Sequence, residues 1–244
     1  MKFTFLGTGT SQGVPVIACE CNVCQSIDFR DKRLRSSLHV KIDDQSFVID
    51  TGPDFRQQML RERIKHVDAI IFTHEHKDHT AGLDDIRSYN FKQKMDMPIY
   101  GHERVIDQLK KEFSYIFAEN KYPGGPRVEI NPIDNTPFSI NKIRITPIEV
   151  MHYKLPVFGF RFKDMAYITD AKSISEEEKK KLKGLKVLVL NALQKTPHIS
   201  HFTLDEAIEM AIEINAEKTY LTHIGHKLGL HREVEKELPD NIQL

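Results

Sequence analysis

Four side chains able to ligate a metal fall within six residues: His74, His76, Asp78 and His79, in the segment Thr73-His74-Glu75-His76-Lys77-Asp78-His79. Imidazole and carboxylate are donors suited to zinc, manganese and iron. Four donors on so short a segment crowd one ion. They suit two adjacent ions, with His74 and His76 turned to one and Asp78 and His79 to the other. Each ion then needs ligands from elsewhere. Three candidates each stand beside an expected strand: His152 after 143–150, Asp170 after 166–169 and His223 after 219–222. Asp170 is the only carboxylate of the three, which makes it the natural bridge. A pair of bridged cations brings a water near its neutral-pH ionisation and offsets charge that develops on the oxygens of the group attacked. The chemistry expected is metal-dependent hydrolysis.

A second cluster uses softer donors. The chain has three cysteines, all within six residues: Cys19, Cys21 and Cys24. An odd, clustered set is a poor disulfide framework and a good partial metal site. Three thiolates leave a tetrahedral ion one ligand short, so a fourth ligand from elsewhere is required.

These residues need a scaffold. β-Branched and aromatic runs predict strands over 3–6, 38–42, 46–50, 69–73, 143–149, 157–162, 166–169, 187–191 and 219–222. Helical spacing predicts helices over 54–63, 82–91, 103–113, 175–182 and 203–214. The last carries Leu204, Ala207, Ile208, Ala211 and Ile212 on one stripe, with Asp205, Glu206 and Glu209 between them. Strands precede helices in each half, which predicts sheets covered by helices in one α/β domain over 1–244. The segment Gly7-Thr8-Gly9-Thr10-Ser11-Gln12-Gly13 imitates a dinucleotide fingerprint. It has one residue too many before the last glycine, and Val14-Pro15-Val16 follows where a helix should open. A tight glycine loop is the better reading.

Composition excludes other classes. Lys+Arg and Asp+Glu each total 35, so the formal net charge is zero and no whole-protein electrostatic case exists for nucleic acid or an anionic membrane. No apolar run approaches the roughly 18 residues of a membrane helix. Met1 leads directly into an expected strand without an apolar leader, so the expected compartment is the cytoplasm.

The motif His74-x-His76-x-Asp78-His79, followed in order by His152, Asp170 and His223, resembles the metallo-β-lactamase superfamily. Asp50 in Val48-Ile49-Asp50-Thr51-Gly52 matches that superfamily's early strand-end Asp. The resemblance implies an αβ/βα four-layer sandwich with two central sheets and a dinuclear site of two divalent ions, zinc or manganese. Asp50 would orient a ligand from behind, and Asp78 and Asp170 would serve catalysis as well as binding. Leu6-Gly7-Thr8-Gly9-Thr10-Ser11-Gln12-Gly13-Val14-Pro15, the Cys-x-Cys-x-x-Cys segment, Leu83-Asp84-Asp85-Ile86-Arg87 and Leu221-Thr222-His223-Ile224-Gly225-His226 narrow it further. They are similar to the branch containing the cyclic-phosphate phosphodiesterase of phosphonate breakdown, near the tRNA 3′-processing nucleases. That branch implies a structural zinc held by Cys19, Cys21, Cys24 and His226, on a loop at about 18–30. It also places a catalytic histidine before a helix. His201, directly ahead of Thr203, is the better match there and His198 the weaker.

The substrate expected is a small or cyclic phosphodiester, such as a 5-phosphoribosyl 1,2-cyclic phosphate, with a homodimer left open. The rivals are an RNA 3′-end nuclease, a thioester or lactam hydrolase, and a metal-binding module without activity. The insert at about 113–137 holds few bases beyond Lys121 and Arg127, which argues against RNA. His39, His66, His102 and His231 read as ordinary surface or packed histidines. Arg87 and Tyr89 could equally face a phosphate or serve packing.

Overall fold

In the computed structural model, which describes residues 1–118, 120 and 122–244, the chain forms two compact units. Lys121, weighed above, lies outside the described residues. The first unit comprises Met1–Gly7 and Arg35–Asp134, and the second Thr8–Leu34 and Asn135–Leu244.

Six strands of the first unit pair in chain order: β1 (Lys2–Gly7), β2 (Ser37–Ile42), β3 (Gln45–Ile49), β4 (Ala69–Ile71), β5 (Met97–His102) and β6 (Val128–Ile133). β1 to β3 are antiparallel, whereas β3 to β6 run parallel. Parallel neighbours need crossovers, and helices Phe55–Arg61, Arg87–Gln93 and Glu103–Glu112 lie in them. Their Phe55, Met59, Tyr89, Val105, Ile106 and Leu109 form one apolar cluster with Val48, Ile70, Phe72 and Ile99. Helix Glu103–Glu112 is capped by His102, whose ring accepts from the Arg104 N–H, and ends in Lys110 and Lys111, which suit the negative end of its dipole. Every residue of Ala69-Ile70-Ile71-Phe72 is fully buried, the sign of a strand covered on both faces. β5 and β6 were not expected from sequence. Pro98, Gly101 and Pro132 dilute their strand character, and β6 tolerates its proline because it is an edge strand.

The second unit carries β7 (Phe138–Ile140), β8 (Ile143–His152), β9 (Leu155–Phe162), β10 (Met165–Ile168), β11 (Ser173–Ile174), β12 (Val187–Asn191), β13 (Lys218–Thr222) and β14 (Ile242–Gln243). Their order is β11-β8-β9-β10-β12-β13-β14, with β7 beside β8. The β8–β9–β10 run is antiparallel, and β10, β12, β13 and β14 are parallel. Mixed sheets with flanking helices place the chain in the α/β class.

Helix Leu204–Ile214 packs Leu204, Ala207 and Ala211 into the core of this unit. Ile212, expected on that stripe, is instead 62% exposed. At about 100° per residue it lies roughly 80° from Leu204, on the side away from the two alanines. Thr203 and Glu206 form a capping box: the Thr203 hydroxyl accepts from the Glu206 N–H, and the Glu206 carboxylate accepts from the Thr203 N–H. Replacing Thr203 by Ala should cost about 1 kcal/mol. A urea midpoint unchanged in that variant would show the box to be idle.

Candidate metal centre

Each expected ligand stands where a strand gives out. β4 passes through Phe72 and Thr73 into His74, and the one-turn helix Lys77–Thr80 begins with His76 as its cap. Asp50 directly follows β3, Asp170 lies two residues beyond β10, and His223 directly follows β13, while His152 is the last residue of β8. Asp50, Asp170 and His223 adopt left-handed backbone, with φ of 64°, 57° and 55°. That conformation costs a non-glycine residue about 1–2 kcal/mol and turns the chain sharply at the strand end. Strain of this kind collects at functional sites.

In the first unit, a fully buried carboxylate organises the loop. Asp50 Oδ1 accepts from the Thr73 N–H at 2.9 Å, and Oδ2 accepts from the Thr73 hydroxyl at 2.9 Å and from His79 Nδ1 at 2.7 Å. The Thr73 hydroxyl has one proton and gives it to Asp50, so toward His74 Nδ1, 3.0 Å away, it can only accept. Both His74 and His79 therefore carry their proton on Nδ1, which leaves each Nε2 basic. Burial pushes the Asp50 carboxyl up, opposed by the His79 and Thr73 donors. The rings of His76 and His79 lie 4.5 and 4.2 Å from that of His74, centre to centre. Asp78 Oδ2 is 3.1 Å from His79 Nε2. Glu75 and Lys77, the spacers of the motif, pair with Arg104 and Glu112 near the two ends of helix Glu103–Glu112. Gly52 admits this loop: a Cβ there would stand 2.1 Å from the Asp78 carbonyl.

In the second unit, Asp170 Oδ1 lies 3.1 Å from His201 Nε2 and 3.2 Å from His223 Nε2. The Thr169 hydroxyl donates to the other oxygen at 2.6 Å. His152 Nδ1 donates to the Ser200 carbonyl at 2.9 Å, leaving its Nε2 basic. Ligand atoms of His152, Asp170 and His201 all fall within 4.8 Å of one another, so His201 sits among the donors rather than beyond them. Burial pushes the His201 imidazole below its ordinary value, against the pull of Asp170. His198, the weaker match before the helix, has its Nδ1 3.2 Å from His201 Nδ1.

Cys19, Cys21 and Cys24 converge on His226, whose Nδ1 is 3.2, 3.4 and 3.5 Å from their sulfurs. A tetrahedral ion with Zn–S of about 2.3 Å and Zn–N of about 2.0 Å has sulfur–nitrogen edges of about 3.5 Å. The four donors fit such an ion without rearrangement. The Cys24 N–H, with His226 beside it, lowers the Cys21 thiol to about 6, which favours the thiolate a metal takes. The glycine loop does not cradle a nucleotide. A Cβ on Gly9 would stand 2.6 Å from the Arg33 carbonyl, and the loop pairs with Ile224, between His223 and His226.

Residues 45–224 match the family described as Beta-lactamase superfamily domain. The chain belongs to the metallo-β-lactamase superfamily. Across 99% of its length it is 38% identical to a curated octanoyltransferase of Porphyromonas gingivalis, but covers only 49% of that protein. The chain spans about half the length of the curated relatives it matches. The solved structure of a new diphosphatase from the PhnP family is 42% identical, with a TM-score of 0.93, over 99% of this chain and 93% of that one. Human tRNase Z, short form, shares the fold at a TM-score of 0.72 with 18% identity, over 100% and 96% of the two chains.

In this superfamily member, several positioning residues escaped the sequence reading. Asn191 is fully buried and clamps the peptide after Asp170: its Oδ1 accepts from the Ala171 N–H and its Nδ2 donates to the Ala171 carbonyl. Thr73 and Gly52 act as described above. Only the placement of Thr73 between β4 and His74 could have signalled it. Tyr89 serves packing: it is buried, its hydroxyl donates to the Ile64 carbonyl, and burial pushes it up to about 12. Arg87 is exposed. Among the described residues, no helix is long and apolar enough to cross a membrane. Changing Thr73 to Val should leave Asp50 a donor short and free the His74 tautomer. The expected loss is about 1–3 kcal/mol in stability and about 10- to 100-fold in metal affinity. Urea titration and elemental analysis would check both, and retention of native metal content would refute the relay.

Proposed function

We propose that the chain is a phosphodiesterase acting on a small or cyclic phosphodiester. On this reading, His74, His76, Asp78, His79, His152, Asp170 and His223 hold a pair of divalent cations, zinc or manganese. Such a pair supplies Lewis acidity and an activated water when bound. Cys19, Cys21, Cys24 and His226 hold a structural zinc whose four positions are all filled by protein, leaving none for chemistry.

The Asp50–Thr73–His74/His79 relay is the observation that carries the reading. It spends a buried carboxylate on holding two imidazoles with Nε2 outward, which surface histidines would not need. The diphosphatase likeness supports phosphorus as the centre attacked.

The chain's own residues then divide the work. Asp170 gathers imidazoles on one oxygen and is held by Thr169 on the other. His201 can move a proton at Nε2 to the departing oxygen, with Ser200 and His198 against its other nitrogen. A positioned general acid is worth roughly 10²–10⁴ in rate.

Two variants should separate the metal populations. His74→Ala should deplete the His/Asp cations and spare the thiolate zinc, while Cys21→Ser should do the reverse and lower the melting temperature. Equal metal loss in both, measured by elemental analysis, would mean one linked site.

His201→Ala should keep its metal and lose roughly 10²–10⁴ in rate on alkyl or ribose esters, and less on p-nitrophenyl esters, whose leaving group departs without a proton. An equal loss on both ester types would make His201 a charge stabiliser, and lost metal would make it a ligand. Failure of the metal-loaded protein to hydrolyse bis(p-nitrophenyl) phosphate would overturn the reading as a whole.

A further inference from the structure

A cavity of about 320 Å³ opens in the first unit between helices Phe55–Arg61 and Arg87–Gln93, and its walls include none of the metal ligands named above. Phe55, Met59, Leu60, Ile64 and Tyr89 give it an apolar floor. Size and floor are those of a small-molecule site. On one wall Asp85, Ser88, Tyr89 and Lys92 recur at i, i+3, i+4 and i+7, a single helical stripe. On the other, Arg56 stands three and four residues before Met59 and Leu60, on their face of the helix. A solvent-facing helix surface is ordinarily polar, yet Leu60 is 62% exposed here.

The cavity has two unlike ends. Tyr89 donates to the Ile64 carbonyl, and the Gln93 side chain both accepts from the Val67 N–H and donates to the Val67 carbonyl. Lys65 lies between those two anchored backbone positions and Lys92 between the two side chains that anchor them, so both lysines border the same end. Asp85 stands two turns back along the stripe, about 10 Å away along the axis. Arg56 begins the facing helix at that end, since a Cβ on Gly82 would stand 2.8 Å from the Phe55 Cβ. Opposite charges offset one another there. At the lysine end they do not: among the described residues, neither Lys65 nor Lys92 makes an ion pair. The acid four residues beyond Lys92, Asp96, is taken by Arg127. By contrast, Lys179 and Lys180 on the exposed helix Glu176–Lys180 each pair with an acid three residues back.

An apolar slot with two uncompensated ammonium groups at one end suits a straight alkyl chain that terminates in an anion. An extended chain advances about 1.25 Å per carbon from its bonds of about 1.5 Å, so about eight carbons fill the slot. A bare phosphate would leave the floor uncovered, and an uncharged acyl group would leave both ammonium groups unanswered. We infer that this cavity binds a medium-chain fatty carboxylate, its head between Lys65 and Lys92 and its tail over Met59, Leu60 and Tyr89. The site stands apart from the metal centre and does not depend on the phosphodiesterase reading.

Calorimetric titration of octanoate into the metal-loaded protein tests this, with acetate, 1-octanol and octylammonium as controls. From butanoate to octanoate each methylene should tighten binding about two- to four-fold, and the gain should stop by dodecanoate, when the slot is full. Octanol should bind several-fold more weakly than octanoate, and octylammonium more weakly still. Lys65→Gln and Lys92→Gln should each weaken octanoate about two- to five-fold and leave octanol unchanged. Ser88→Trp, at an exposed position of the stripe, should fill the slot and abolish binding without lowering the melting temperature. If that tryptophan disturbs packing, Leu60→Gln on the facing wall carries the comparison and should weaken octanoate and octanol alike. Acetate binding as tightly as octanoate would place the carboxylate on the metal ions and overturn the cavity. So would octanoate affinity unchanged in a folded Ser88→Trp or Leu60→Gln protein. Equal affinity for octanoate and octylammonium would remove the lysines' part, and affinity that climbs undiminished to dodecanoate would make this face a membrane-adsorbing surface. Either result overturns the proposal.

Discussion

A carboxylate with no contact to water is costly unless donors surround it, and Asp50 is such a carboxylate. Its three donors come from Thr73 and His79, on either side of the His74–Asp78 segment. Satisfying the buried charge and shaping the loop are therefore the same event. The burial of β4 on both faces keeps Thr73 from moving, and Gly52 lets the loop close over the Asp50 corner. The ion pairs of Glu75 and Lys77 add a brace from outside. Their carboxylates are largely buried, so each pair also gives a buried acid a partner while it fixes the loop's orientation.

The second unit solves the same problem with neutral groups. His152 is held by a carbonyl, Asp170 by a neighbouring hydroxyl, and the following peptide by the Asn191 amide. None of these partners has a sequence signature, because a carbonyl belongs to any residue and a threonine or asparagine at a strand end is commonplace. The ligating residue types were legible for the opposite reason: His and Asp crowd into places where β-branched runs stop. In the second unit, β8, β9, β10, β12 and β13 and the helix after His201 were legible from periodicity, whereas the two- and three-residue strands β7, β11 and β14 were too short to show one. β5 and β6 were not, because proline and glycine interrupt them, and pairing to a neighbour outweighed local propensity. His198 ranked below His201 because it stands further from the helix start, and only the fold brings its ring to His201.

Three cysteines and one distant histidine were visible as types, but their closeness depends on contacts that spacing does not reveal. Asp31 takes the Ser26 hydroxyl at 2.5 Å and the His231 N–H at 2.7 Å, tying the cysteine loop to the segment beyond His226. Lys32 adds a bond to the Cys24 carbonyl. The sulfurs are thus held by the protein as well as by any ion.

The start of helix Leu204–Ile214 has a consequence beyond its own stability. Glu206, which closes the capping box, also takes the Lys172 ammonium at 2.7 and 2.8 Å, and Lys172 lies two residues after Asp170. Thr203 lies two residues after His201. One carboxylate thus fastens together the two segments that bear Asp170 and His201. Ala171, Phe202, Thr203 and Leu204 around it are buried, and the Phe202 N–H donates to the Ala171 carbonyl, so the junction is closed by packing as well as by charge. Loss of that one carboxylate would therefore be felt in two places at once, at the helix cap and in the spacing of Asp170 and His201.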